Sequence, residues 1–246
     1  MSRRLRTWVL GVSCLGFAVL FGAACLRLPA FGGTSHPYGE RAVGAALAHR
    51  TSNVVSSVNY DQRAFDTLIE ESILFAAVLG TIVLLRQARD ERQVRPEAAR
   101  VDHPVRRYAL VLLPVTLLVG LYVVAHGQLS PGGGFQGGVV VATALHLLYL
   151  GADYRALERI RPIGLYEVGD AMGEAAYLVV GVAGLVAGSA FIANNLIPYG
   201  TFNTLASGGL VPLLNVAVGM EVACAVVVLL ARFLDQAVEI EKADGA

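Results

Sequence analysis

Charge is what this sequence has least of. Of its 246 residues only 15% are Asp, Glu, Lys or Arg, while 55% are apolar. Soluble domains carry about 25% charged and about 45–50% apolar residues, so this chain lacks the polar groups to cover a water-facing surface. Its 19 basic and 19 acidic residues cancel to zero net charge. That balance removes the basic footprint of a nucleic-acid binder. Cysteine is scarce too, with Cys14, Cys25 and Cys224 far apart inside apolar runs. Their spacing excludes a CxxC pair, a Cys/His cluster and a disulfide framework, and leaves them as small lipid-facing or packing residues. Also missing are an HExxH, histidines paired on a helix face and a Ser/His/Asp order with supporting context. The expectation is no enzyme, no metal site and no cofactor.

What is present in quantity is long uncharged sequence. A span needs about 20 mostly apolar residues to cross about 30 Å of hydrocarbon. Six stretches qualify: 8–26, 66–85, 108–125, 135–150, 171–191 and 209–232. No Asp, Glu, Lys or Arg occurs in 108–152 or in 175–220, and such tracts cannot be soluble loops. The runs are continuous rather than alternating, which favours helices over barrel strands. The predicted fold class is an all-α polytopic membrane protein with six transmembrane helices.

Lys and Arg fix the expected orientation. With the N-terminus inside, the inner segments hold 15 of the 19 basic residues, among them Arg3, Arg4, Arg6, Arg155, Arg159, Arg161, Arg232 and Lys242. Only Arg27, Arg41, Arg50 and Arg63 fall outside, and the outer loops 126–134 and 192–208 hold none. Both termini are therefore expected in the cytoplasm. The first span also resembles a secretory signal, and Ala23-Ala24-Cys25 is similar to a lipoprotein cleavage site. Yet its 19 uncharged residues are long for a signal core, and Gly22 stands where a larger apolar residue is preferred. A retained anchor is the expectation.

The chain divides at an arginine-dense stretch, 86–107, broken by Pro96 and Pro104. Residues 1–92 form a two-helix part with a long outer loop. A charged cytoplasmic linker, 93–107, leads to a four-helix domain, 108–246.

The loudest local motif is Pro131-Gly132-Gly133-Gly134-Phe135-Gln136-Gly137-Gly138, between spans three and four. Gly132-x-Gly134-x-x-Gly137 copies the dinucleotide fingerprint, but that needs a preceding strand and an acidic residue about 20 positions on. A membrane span precedes it here, and no P-loop Lys follows, so no nucleotide is expected. Tight re-entry between two helices explains the glycines better, through positive φ and close approach. Gly134-x-x-x-Gly138, Gly169-x-x-x-Gly173 and Gly184-x-x-x-Gly188 offer small faces for helix packing.

Ionisable residues inside spans are costly and face protein or water. Asp66 and Glu70 lie i, i+4 on the outer half of span two, with Glu71 beside them. Asp66 also suits the N-cap of that span. Glu167, Asp170 and Glu174 share one helical face, the first two expected as interfacial residues ahead of span five. Glu221 stands mid-span without a local cation, and His146 lies near the inner end of span four. Glu221, Glu70, Asp66, Glu174, Glu71 and His146 are thus the ion-path candidates. The expected order runs from Asp66 and Glu70 outside, through Glu221, to Glu174 and His146 inside.

Two of these segments resemble a known family. His126-Gly127 with Pro131–Gly138, then Ser207-Gly208-Gly209, Pro212-Leu213-Leu214-Asn215 and Val218-Gly219-Met220-Glu221-Val222, are similar to the signatures of MnhB, the B-type subunit of Mrp-type monovalent cation/proton antiporters. Upstream, Asn59–Glu70 resembles the D-x-R-G-F-D-T-L-G-E segment found at the end of the large A-type subunit or fused ahead of the B-type one. Ala64 and Ile69 stand where that segment usually has glycine. The resemblance implies one subunit of a hetero-oligomeric complex in a bacterial plasma membrane, exchanging Na⁺ or K⁺ for H⁺, with other membrane subunits as partners. The alternatives are a structural helix block with silent carboxylates, or the equivalent subunit of a membrane-bound hydrogenase or other respiratory complex.

Overall fold

The computed structural model describes residues 3–28, 36–85, 91–93, 101–151, 162–234 and 238–240. Residues 94–100 of the linker, the basic residues at 155, 159 and 161, and Lys242 lie outside the described residues. The chain forms two compact units, 1–40 and 41–246. The first holds α1 (Arg3–Leu26), whose described side chains are all exposed, as an apolar helix for lipid requires. Cys14 and Cys25 are free and exposed on it. The start of α2 (Pro37–Ala48) also falls in this unit.

The second unit continues through α3 (Val54–Ser57) and a π-helical turn (Val58–Gln62) into α4 (Ala64–Leu84). The helices α5 (His103–Ala125), α6 (Gly134–Gly151), α7 (Ile163–Val186) and α8 (Val211–Leu234) follow. A short antiparallel pair joins Glu91–Gln93 to Val238–Ile240. Among the described residues, six helices, α1 and α4 to α8, are long and apolar enough to cross a membrane. The fold is the expected helical, multi-pass one.

Helix α8 is the hub: α4, α5, α6 and α7 all pack against it. Glycine makes two of these approaches close. A Cβ on Gly134 would stand 2.6 Å from the Asn215 carbonyl oxygen, and one on Gly138 2.8 Å from that of Gly219. Gly137, on another face of α6, meets α5 in the same way, 2.8 Å from the Val124 nitrogen. Gly132 and Gly133 take φ of 132° and 144° in the turn ahead of α6, where L side chains are strained. In Pro131–Gly138, positive φ thus falls at Gly132 and Gly133 and close helix approach at Gly134, Gly137 and Gly138. Gly169 and Gly173 likewise admit α8, the former against Cys224 Sγ. The third small-residue pair is a correction. Gly184 faces the Ala190 carbonyl of a following loop, and Gly188, at φ 76°, lies past the end of α7 with nothing within 4 Å.

Two boundaries also differ from expectation. Asp66 is not the N-cap of α4: the helix starts at Ala64 after Arg63, and Asp66 sits in its first turn, paired with the Arg63 guanidinium. The fifth span is Ile163–Val186, eight residues earlier than 171 at its start, so Glu167 and Asp170 lie within the helix rather than ahead of it. Their charge argued for an interface, but Asp170 is 2% exposed. Packing against protein, not lipid, removes the objection to acidic residues at that depth.

Candidate functional site

Asparagine builds the frame around the site. The first N–H groups of a helix have no intrahelical acceptor. Gly134 N–H, opening α6, donates to Asn215 Oδ1 on α8 at 2.8 Å. Asn215 Nδ2 donates to the Val211 carbonyl at 3.0 Å and to Ser56 Oγ of α3 at 3.2 Å. Asn53 caps α3 through its Oδ1, and its Nδ2 bonds the carbonyls of Gly127 and Ser130 at 2.7 and 2.8 Å. Gln128 Nε2 reaches the Leu205 carbonyl at 2.8 Å. The segment before α4 is thus bolted to the α5–α6 and α7–α8 loops on one face of the helical layer.

Beneath that frame lie the carboxyls. Glu71 of α4 and Glu221 of α8 are both fully buried, at 0% exposure. They are near enough to interact directly, and no donor among the described residues reaches any of their four oxygens. Leaving a buried ionised carboxyl unpaired costs several kcal/mol. The pair is chemically complete only with a proton or a cation between its members. The third member is Glu174 of α7, whose Oε1 stands 2.7 Å from Ser72 Oγ, while its Oε2 is buried without a partner. Ser72 Oγ is also 2.8 Å from the Leu68 carbonyl. A serine has one proton for two acceptors, so Ser72 can fully satisfy only one of these contacts.

Helix register sets the depths. Gly173 opposes Glu221, which brings Glu174, its chain neighbour, to the same level. Glu221 is ten residues into α8 and Glu71 seven into α4, about 15 Å and about 10 Å from their helix starts. Asp170 follows one turn further along α7, with Oδ1 buried and unpartnered. At the Ile163 end, Glu167 pairs with the Arg232 guanidinium. The expected succession of depths is corrected in one respect: Glu174 stands beside Glu221, not inward of it. His146 is half-buried on α6, on the side of Glu221 nearer the Leu234 end of α8. Gly138 facing Gly219 sets that register, placing His146 about two turns beyond Glu221.

The structure brings together Glu71, Glu221 and Glu174 but not Asp66 or Glu70. Glu70 is exposed, and Asp66 is held by Arg63 at the helix entrance. Neighbours in sequence on a helix point about 100° apart, so Glu70 and Glu71 face different surroundings. Tyr177 and Tyr60 line the cluster's apolar side, and Tyr177 OH donates to the Ala64 carbonyl at 3.0 Å. Sequence reasoning gave no role to Ser72 or Tyr60 and read Asp170 as interfacial, although its spacing from Glu174 was a signal for the shared face.

Comparison with known proteins bears on the fold and the family. Residues 104–228 match the family described as a domain related to the MnhB subunit of Na⁺/H⁺ antiporter. The probable K⁺/H⁺ antiporter A/B subunit of Rhizobium meliloti is 27% identical over 192 residues, covering 68% of this chain and 19% of that protein. The chain thus spans about a fifth of that relative. Among solved structures, a chain of the membrane-bound sulfane sulfur reductase, an archaeal respiratory membrane complex, superposes with TM-score 0.71 at 26% identity, covering 94% of this chain and 98% of that one. A chain of the Mrp complex from a Dietzia species superposes with TM-score 0.67 at 26% identity, covering 100% of this chain and 27% of that one. With half of its length inside the matched domain and Glu221 and the Pro131–Gly138 turn within it, this chain belongs to the MnhB-related family of Na⁺/H⁺ antiporter subunit domains.

Proposed function

We propose that this chain is a multi-pass membrane subunit of a multisubunit monovalent cation (Na⁺ or K⁺)/proton antiporter, with both termini cytoplasmic, and that Glu71 and Glu221 exchange protons within it. One observation carries the reading: two fully buried carboxyls on different helices face each other with no donor to either. A purely structural pair would be expected to hold a cation or hydrogen-bond donors, since replacing such a pair by apolar residues is often stabilising. Glu174 and Asp170 continue the acidic face of α7 towards the Glu167–Arg232 pair. They offer a proton successive acceptors along one helix. The chain acts with other membrane subunits in the bilayer, as a transporter component rather than an enzyme.

The test is cation-driven proton movement in membrane vesicles holding the assembled complex. Glu221→Gln and Glu71→Gln keep shape and polarity but cannot titrate, and each is expected to assemble and lose most of the exchange. Glu221→Asp should keep part of it. Both Gln variants transporting like the parent would refute proton exchange at this pair.

A second reading places the chain in a respiratory membrane complex. It is favoured by the near-complete overlap with the sulfane sulfur reductase chain, 94% of this chain on 98% of that one. Neighbouring genes for a peripheral redox arm would support it, and neighbouring genes for the remaining antiporter subunits would exclude it.

A further inference from the structure

On the face that carries the 126–133 and 187–210 loops, His49 Nδ1 lies 2.6 Å from Asp61 Oδ2. His49 follows the last residue of α2, and Asp61 belongs to the π-helical turn Val58–Gln62. The contact is half open: the Asp61 side chain is 7% exposed and that of His49 35%. Tyr199 stacks on the imidazole, with centroids 4.5 Å apart and planes at 14°. Burial, and secondarily the Asp61 charge, push the Tyr199 phenol up, so it stays neutral beside the pair. Arg50, at φ 59°, turns its guanidinium to the Gly200 carbonyl instead. Among the described residues, no other charged group pairs with His49 or Asp61.

The turn that holds Asp61 is unusual in itself. π-Helical turns are rare and concentrate at functional sites. This one runs directly into α4 and presents two adjacent residues to opposite environments. Asp61 reaches the surface imidazole, while Tyr60, 3% exposed, packs into the core beside the charge of Glu71. Gln62 Nε2 ties the same turn back to the Ala42 carbonyl and to Ser57 Oγ, both at 3.0 Å.

We infer that His49 and Asp61 are positioning residues: an imidazole–carboxylate latch that holds the π-helical turn, and through Tyr60 the surroundings of Glu71, with a grip set by the pH of the water on that face. The inference rests on the reading of Glu71 as a proton-exchanging group. A protonated imidazole gives Asp61 a charge-assisted bond, and a neutral one gives at most an ordinary bond. Imidazole changes charge near neutral pH, so the grip is firm in acid and slackens as pH rises. A permanently charged Arg or Lys would serve a purely structural tie at every pH.

The experiment uses the assembled complex. Amide hydrogen exchange of residues 58–62, corrected for intrinsic rates, is compared at about pH 6 and about pH 9. Antiport is followed as a function of pH on the same face. In the parent, protection of the turn should fall about fivefold at the higher pH, the scale of a partly exposed pair. His49→Arg should hold the acid level at both pH values, His49→Gln the alkaline level, and Asp61→Asn should behave like His49→Gln. Should His49→Gln fail to assemble, His49→Arg alone decides. Parental pH dependence in His49→Arg overturns the latch, whatever Glu71→Gln does. A turn that responds while the antiport profile stays parental overturns its link to Glu71. Should the latch variants respond while Glu71→Gln and Glu221→Gln transport normally, the proton-exchange reading falls instead, and the link with it.

Discussion

Gly173 lies so close to Glu221 that a Cβ on it would stand 2.5 Å from the Glu221 Cβ and 2.9 Å from the Ala217 carbonyl oxygen. The missing side chain lets α7 lie on α8 at the level of the buried carboxyls. It thereby brings Glu174 to the Glu71–Glu221 pair. Packing and proposed chemistry meet at this one glycine.

Gly173→Ala is expected to force α7 away from α8 at a cost of about 1–3 kcal/mol, and to depress antiport beyond its effect on assembly. Gly164, on the same helix, has nothing within 4 Å of the place a methyl group would take, so Gly164→Ala should stay within about 0.5 kcal/mol of the parent. Thermal unfolding and exchange rates of the two purified complexes make the comparison. Equal behaviour of the two variants would show that the close approach is not required.

Asn215→Leu leaves the buried Gly134 N–H without its 2.8 Å acceptor, at a cost of about 1–3 kcal/mol. Gly134→Val drives a branched side chain into the Asn215 carbonyl, 2.6 Å from its Cβ. Both variants should reduce the amount of assembled complex on native gels, Gly134→Val more severely. Any complex that does assemble should keep the parental cation preference. A change of preference in fully assembled complex would move the Pro131–Gly138 turn from packing to ion handling.

Tyr60 supplies a pH dependence with a definite sign. Burial first, and then the charge of Glu71, raise its phenol above the ordinary 10.0. A raised acid favours its protonated form in the folded state, so this contribution is whole below pH 10 and is lost as pH climbs beyond that value. Tyr60→Phe cannot ionise. Its melting temperature should therefore fall less steeply than the parent's in the alkaline range. Parallel melting curves across that range would place Tyr60 in contact with water.

Orientation is open to direct labelling. In a Cys-free background, a cysteine in loop 126–134 should react with impermeant maleimide from outside, and one in 86–107 only from inside. The reverse pattern would invert the proposed topology and move the His49–Asp61 latch to the cytoplasmic face.

Much was decided by the sequence alone. Six apolar runs specify six helices, because a backbone in hydrocarbon must satisfy its own hydrogen bonds. The Pro131–Gly138 motif specifies a tight re-entry, because only glycine tolerates φ of 132° and 144° at Gly132 and Gly133 without strain. Glu221 was legible as a buried carboxyl, since no register of so apolar a helix hides it near a chain-local cation. Tertiary structure decided the rest. Glu70 and Glu71 are equivalent in composition, and only the docking of α4 on α8 makes the second buried and the first exposed. Asp170 lies inside α7 because its face meets protein, which sequence hydropathy, summing over all faces, cannot register. His49 and Asp61 are twelve residues apart on segments whose apposition depends on the π-helical turn and on Tyr199. Local pattern reports what each helix can bury; which side chains meet depends on faces chosen only when the helices pack together.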